Sequence, residues 1–271
     1  MEYSVLMSVY FKEKPEYLKK ALDSMLSQTE KPSQLVLVCD GKLTPELEKV
    51  IEERSGELDV VRLPENKGLG NALKIGLEHC ENELVARMDT DDISVPDRCR
   101  KQLSAFDGDS ELAVLSGAVE EFTDDPEQPL SKRPVPLTHE EILRYSKRRN
   151  PFNHPAVMFR KSAVLNAGGY SSDFNLFEDY DLWSRVLQSG VKTANLPDVL
   201  VKMRTPADFY KRRGGRPFAK KMIRFRKSLR KSGKISRRDY IFSTYPHAAV
   251  CVMPAWMRKG VCKALRAKER N

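Results

Sequence analysis

Between residues 3 and 88, short apolar runs alternate with stretches of helical period, and this alternation restricts the fold more than any other feature of the chain. Tyr3 to Val9 is an apolar run, after which Pro15 opens a helical pattern through Leu18, Leu22, Met25 and Leu26. Gln34 to Cys39 predicts a second buried strand, stopped by Asp40-Gly41. Pro45 to Arg54 predicts a second helix with Leu47, Val50 and Ile51 on one face. Asp59 to Leu63 reads as a third strand, Asn66 to Gly70 as a turn, Ala72 to His79 as a third helix and Glu83 to Met88 as a fourth strand. Strands joined through helices run parallel, because each connection crosses over the sheet and packs its helix on a face. The expectation is an α/β fold with a mostly parallel sheet and helices on both faces. In such sheets ligands gather where strands end at their carboxyl edge. Tyr10, Asp40 and Asp89 each lie just past such an end.

The fourth strand runs directly into Met88-Asp89-Thr90-Asp91-Asp92. Carboxylates this closely spaced repel one another, and a fold that sets them at a strand end needs a cation to offset the repulsion. Hard oxygen ligands suit Mg²⁺ or Mn²⁺, which bind one or two carboxylates and complete their shell with phosphate oxygens and water. The bland alternative is a solvated turn in which Asp92 caps a following helix. Its place at the end of a buried strand argues against that reading. A second acidic group, Glu178, Asp179 and Asp181, opens a helical pattern through Leu182, Val186 and Leu187 that Gly190 stops. Acids in the first turn of a helix are ordinary, since they meet the positive end of its dipole.

Farther along, Leu112 to Val119 predicts a strand, Glu120 to Pro136 a polar, mobile loop and His139 to Arg149 a helix with a basic end. Ala156 to Phe159 is an apolar run, and Lys161 to Asn166 a short helix stopped by Gly168-Gly169. The five cysteines lie far apart, without the spacing of a zinc site or the density of a disulfide framework, so a reduced, cytosolic setting is expected. The N-terminus lacks the basic and long apolar regions of a signal peptide. The formal charge of +9 hides a division: residues 202–271 hold 22 Lys/Arg against three acids, a net +19, which leaves −10 on residues 1–201. Arg216 to Gly233 carries Phe218, Met222, Phe225 and Leu229 at helical spacing among cations, the pattern of a basic amphipathic helix. Tyr240 to Met257 is apolar, but Pro246, His247 and Pro254 suit an interfacial segment, rich in Tyr, Trp and Met, better than a spanning one. A basic tail on an acidic body points to an anionic surface, and charge alone does not choose between nucleic acid and phospholipid.

Taken in order, Ser8-Val9-Tyr10, Asp40-Gly41, Asn66-Lys67-Gly68, Met88 to Asp92, and Phe177-Glu178-Asp179-Tyr180-Asp181-Leu182-Trp183 resemble the motif series of the family 2 glycosyltransferases, over residues 4 to about 204. The resemblance implies a GT-A fold, a Rossmann-like nucleotide-binding sheet, in residues 1–205, with a nucleotide-sugar half (1–100) and an acceptor half (101–205). The basic helical tail, 206–271, follows. It also implies an inverting, metal-dependent transfer from a nucleotide sugar, in most relatives a UDP-sugar. The acceptor would be a hydroxyl of a lipid-linked or growing glycan in surface-polysaccharide (O-antigen or capsule) assembly. Carried over by position, Tyr10 would pack near the uracil and Asp40 would hydrogen-bond it, while Asn66 and Lys67 would border the nucleotide. Asp89 would meet the ribose or metal, Asp91 would ligate the metal, and Asp179 would take the acceptor proton as general base. Arg204 would lie near the diphosphate, and His154, Gly169, Glu178 and Trp183 would line the sugar or acceptor pocket.

Structural duties fit several of these as well: His154 beside Pro155 as a loop residue, Gly169 as a helix stop, Trp183 with Leu182 and Val186 as core. Arg87, inside the fourth strand, reads as counter-ion to the aspartates. Many relatives place a histidine two residues beyond the arginine as a further metal ligand, where this chain has Pro206, and a second Asp before Asp40, where it has Cys39. The metal shell is therefore expected to be completed by donor diphosphate and water. The expected location is cytoplasmic, peripheral on the inner face of the cytoplasmic membrane. Two other classes compete. A nucleic-acid-binding protein would use the tail, yet no recognition module is visible, the body is acidic, and no nucleic-acid partner is expected. A nucleotidyltransferase would carry a glycine-rich basic loop after the first strand, where Tyr10 to Lys14 stands instead.

Overall fold

The structure, a computed structural model, describes residues 1–206, 214–254, 257–258 and 260–261. The chain divides into two compact units, Met1–Arg204 and Thr205–Asn271.

In the first unit, β1 (Tyr3–Val9), α1 (Pro15–Leu26), β2 (Gln34–Cys39), α2 (Pro45–Glu52), β3 (Asp59–Arg62), α3 (Leu69–His79) and β4 (Leu84–Arg87) follow the expected alternation. Proline stands at the start of both α1 and α2, where its missing N–H is no loss and its fixed φ suits the helix. Then come β5 (Ile93–Ser94), α4 (Arg98–Gly108), β6 (Leu112–Phe122), β7 (Ser131–Arg133), α5 (His139–Ser146) and a 3-10 turn at His154–Ala156. β8 (Met158–Arg160), α6 (Lys161–Asn166), α7 (Glu178–Gln188) and β9 (Lys192–Arg204) complete the unit.

The described residues form one nine-stranded sheet in the order β3-β2-β1-β4-β8-β6-β9-β5, with β7 paired on β6. β3, β2, β1 and β4 run parallel to one another, whereas β8 lies antiparallel to both β4 and β6. The sheet is thus parallel in its first half and mixed beyond β4, because β8 returns from the 3-10 turn without a crossover helix. Alternation along the strands builds two cores. Val5, Met7 and Val9 face α1, α2 and α4 with Leu35 and Leu37, while Leu6, Val36 and Val38 face α3, α6 and α7. Each such buried aliphatic side chain contributes about 1.5–3 kcal/mol.

Among the elements not expected from the sequence are α4 and β9. α4 buries Arg98 and Gln102 alongside Cys99, Leu103 and Phe106. β9 pairs parallel with β6 through register shifts and antiparallel with β5. The stretch expected as a mobile loop, 120–136, is largely structured: β6 continues to Phe122 and β7 turns back on it.

In the second unit, α8 (Gly215–Lys231) buries Phe218, Met222, Phe225 and Leu229 together with Arg226, and exposes its other cations. α9 (Arg237–Val252) continues through Pro246 and packs on α8. Phe242, Tyr245 and Val252 of α9 are 68%, 56% and 54% exposed. No helix among the described residues is long and apolar enough to cross a membrane. Trp256, part of the expected interfacial segment, lies outside the described residues.

Candidate active site

The chain leaves the sheet after Arg87, with Met88 N–H still bonded to Leu6 O at 3.1 Å. Arg87 is buried, and its guanidinium forks onto the Asp89 carboxylate, Nη1 to Oδ2 at 2.6 Å. This is the counter-ion role expected for it. Carboxylate oxygens of Asp89, Asp91 and Asp92 all lie within 4.8 Å of one another. Burial, then the charges of Asp89 and Glu13, pushes the Asp91 carboxyl up to about 7. Asp92 is raised well above the carboxylate range, by burial and then by Asp91 and Asp89. Asp92 caps no helix: α4 starts six residues later behind Asp97, and Asp92 Oδ1 accepts the Arg204 backbone N–H at 2.6 Å.

Arg204, expected near the diphosphate, is 6% exposed, with its guanidinium 3.8 Å from the Tyr17 ring centroid and 4.5 Å from that of Phe122. Its Nε donates to Asp91 O at 3.0 Å and Nη1 to Thr123 O at 2.9 Å, so it braces the acidic loop. Arg98 braces the same loop through Arg87 O, at 2.8 Å. Sequence reasoning also passed over Glu13, whose Oε2 accepts the Thr90 hydroxyl at 2.9 Å and whose carboxyl burial pushes up. The signal was its position just after β1, the parallel neighbour of β4.

Because β1 to β4 are parallel, the residues that follow them share one sheet edge, and this gathers Tyr10, Asp40, Asn66, Lys67 and Asp89. Asp40 is buried, and its oxygens accept the backbone N–H groups of Lys67 at 2.8 Å and Gly68 at 2.9 Å. Asn66 Nδ2 donates to Asp40 O at 3.2 Å. Asp40 therefore shapes the turn that starts α3. Gly41 is required there: its φ is +85°, and a Cβ would lie 2.7 Å from Asn66 N. Lys67 pairs with Glu65, and the exposed Tyr10 ring meets Phe11 edge-on.

At the start of α7, Asp179 Oδ2 accepts the Asn150 amide at 2.7 Å. Glu178 and Asp179 are half-buried. Gly70 lets α3 approach this end closely, since a Cβ would lie 2.5 Å from Ser171 O and 3.0 Å from Glu178 Cγ. The Tyr170 hydroxyl, 3.0 Å from His154 Nε2, is raised by burial, and both Asp179 and Asp89 act on it in the same direction. Both acidic groups thus lie within electrostatic reach of one buried tyrosine. His154 is itself buried and, through burial and Arg87, held well below its ordinary value, hence neutral. Gly169 O accepts Arg185 Nη2 at 2.8 Å. Trp183 does not floor a pocket: at 0% exposure it packs in the core against Phe152, His154 and Phe159.

The donor set suits a hard divalent cation. Asp91 makes no ion pair among the described residues and is raised by burial and by the acids around it, an arrangement that a divalent cation would offset. A half-parallel sheet with this acidic edge defines a GT-A glycosyltransferase. The fold is shared with the mannosyltransferase PcManGT from Pyrobaculum calidifontis in complex with GDP-Man and Mn²⁺, at TM-score 0.65 and 16% identity, over 97% of this chain and 80% of that one. It is also shared with S. aureus TarS 1-349, at TM-score 0.59 and 22% identity, over 82% of this chain and 66% of that chain. The family model for glycosyl transferase family 2 matches residues 4–168, and the chain belongs to that family. Among relatives it is 40% identical to the amylovoran biosynthesis glycosyltransferase AmsE of Erwinia amylovora, over 86% of this chain and 88% of that one. It is 37% identical to the UDP-Gal:alpha-D-GlcNAc-diphosphoundecaprenol beta-1,3-galactosyltransferase of Escherichia coli, over 97% of this chain and 95% of that one.

Proposed function

We propose that this glycosyltransferase moves a hexose, with inversion, from a UDP-sugar to a hydroxyl of a lipid-linked or growing glycan in bacterial surface-polysaccharide assembly. The observation that carries the reading is the pairing of two differently built acidic groups, the Asp89-Asp91-Asp92 cluster and Asp179, around one buried tyrosine. The near full-length likeness to an enzyme named for a UDP-sugar donor and a lipid diphosphate acceptor supports the substrate class.

In this reading Tyr10, Asn66 and Lys67 border the nucleotide. Asp40 orders their turn and offers its remaining lone pairs to the base. Asp91 and Asp89 would hold Mg²⁺ or Mn²⁺, which when bound neutralises charge on the leaving diphosphate. Pro206 brings no ligand atom, so water and the donor complete the shell. Asp179 accepts the acceptor's hydroxyl proton as the new bond to the sugar's C1 forms; the C1–O bond to phosphate breaks, and the nucleoside diphosphate leaves with the electron pair. Asn150 holds Asp179 for that step. Thermal shift and transfer assays across UDP-sugars, with Mn²⁺ or with EDTA, test the reading. One UDP-sugar should stabilise the protein by mass action and be consumed only with metal; undiminished transfer in EDTA would remove the metal from the scheme.

We further place the tail on an anionic membrane. Since α8 buries its apolar stripe, α9 is the helix that inserts: Phe242, Tyr245, Ala249 and Val252 recur at spacings of three and four residues and are exposed. Anionic vesicles should retain the full chain and release a Phe242→Ser/Tyr245→Ser/Val252→Ser variant; equal retention of both would contradict this.

A further inference from the structure

Residues 1–201 carry a net −10, yet the six positions from Arg144 to Arg149 hold four cations and no acid. Lys147, Arg148 and Arg149 are exposed on the turn that ends α5, where the amides of Arg148 and Arg149 bond Tyr145 O at 2.9 and 3.0 Å. A cation at a helix C-terminus offsets the dipole, but one serves that purpose. The turn is fastened on both sides to the first turn of α7. The Tyr180 hydroxyl donates to Ser146 O at 2.6 Å, and Asn150 Nδ2 donates to Asp179 Oδ2 at 2.7 Å. Asn150 Oδ1 accepts the Phe152 N–H at 3.2 Å, which fixes which end of the amide meets Asp179. The three cations are therefore held within a few residues of the carboxylate assigned to the acceptor.

We propose that Lys147, Arg148 and Arg149 form a phosphate-binding site for the acceptor, gripping the diphosphate that joins its sugar to its lipid. The inference rests on the reading of Asp179 and of a lipid-linked acceptor given above. A diphosphate brought to a strongly acidic body is repelled unless local cations reverse the field, and guanidinium forks match phosphate oxygens two at a time. The donor's own diphosphate belongs at the cluster that follows β4. Acceptors with and without a phosphate linkage are thereby told apart at a point next to the reacting hydroxyl.

The test uses the full chain in detergent, with its donor, against a sugar on a short-chain lipid diphosphate and against the same sugar as a neutral alkyl glycoside. In Arg148→Gln/Arg149→Gln, kcat/KM on the diphosphate acceptor should fall about 10- to 100-fold, as expected for lost charge-assisted hydrogen bonds. Donor KM and the rate on the neutral glycoside should stay within about twofold. Arg148→Lys/Arg149→Lys, which keeps charge but loses the forks, should recover part of the loss. Equal losses on both acceptors, a raised donor KM, or a wild type indifferent to the diphosphate would overturn the proposal. So would loss of binding to anionic vesicles without loss of acceptor discrimination, which assigns these cations to lipid headgroups. A wild type that transfers to neither acceptor from any nucleotide sugar removes the underlying acceptor reading together with this one.

Discussion

At the end of β4, half-buried Asp91 and buried Asp92 are crowded by like charges, and the loop that carries them is braced by Arg204 and Arg98. At the start of α7, Asp179 is half-buried and accepts a neutral amide. The first arrangement holds carboxylates together against their repulsion, which a cation would relieve. The second orients one carboxylate through the Asn150 amide and the Tyr180 N–H. In the proposed reading a leaving diphosphate uses the former and a departing proton the latter, and the contrast follows from what surrounds each acid rather than from the acids themselves.

The largest effect that separates the two regions is expected from Asp179→Asn: kcat should drop about 10²- to 10⁴-fold with donor affinity unchanged. A weakened donor affinity would erase the division of labour. Asp91→Asn should cost transfer about 10²- to 10³-fold and yet raise the metal-free Tm, because one of three crowded charges is gone; a lowered Tm would mean the cluster is not under repulsion. The smallest expected effect concerns pH. The Asp91 carboxyl, pushed up to about 7, binds its proton more tightly folded than unfolded. The stability it gives is therefore full below about pH 4 and is lost as pH rises through 7. Added Mn²⁺ would replace what is lost, so the stabilisation it gives, read from the Tm shift, should be larger near pH 8 than near pH 6 by roughly 1 kcal/mol. A shift that ignores pH would leave Asp91 without a metal.

The strands that position the first region were legible because β1 and β2 are continuous apolar runs with clear stops, Lys12 to Lys14 and Asp40-Gly41. α4 was not, because its buried face carries Arg98 and Gln102, which break the apolar period while bonding carbonyls of the neighbouring segments. β9 was hidden by Pro197 and Asp198 and by the register shifts that accommodate them against β6. Asp89, Asp91 and Asp179 stand out by motif order, and Arg87 as a counter-ion beside them, but their other partners do not. Arg204, Asn150 and Glu13 reach them only through the folded sheet. For the same reason Trp183 turned out to be core: it lies one turn beyond Asp179 in α7, where Phe152, His154 and Phe159 close over it.

The hydrogen bond from Arg204 to Asp92 joins residues 112 positions apart. Strands β1 to β4 and their acidic loop leave the ribosome long before the residue that braces them. A nascent chain can therefore display all its aspartates and still lack the strand that fixes their arrangement. The unit that ends at Arg204 is closed by its final residue.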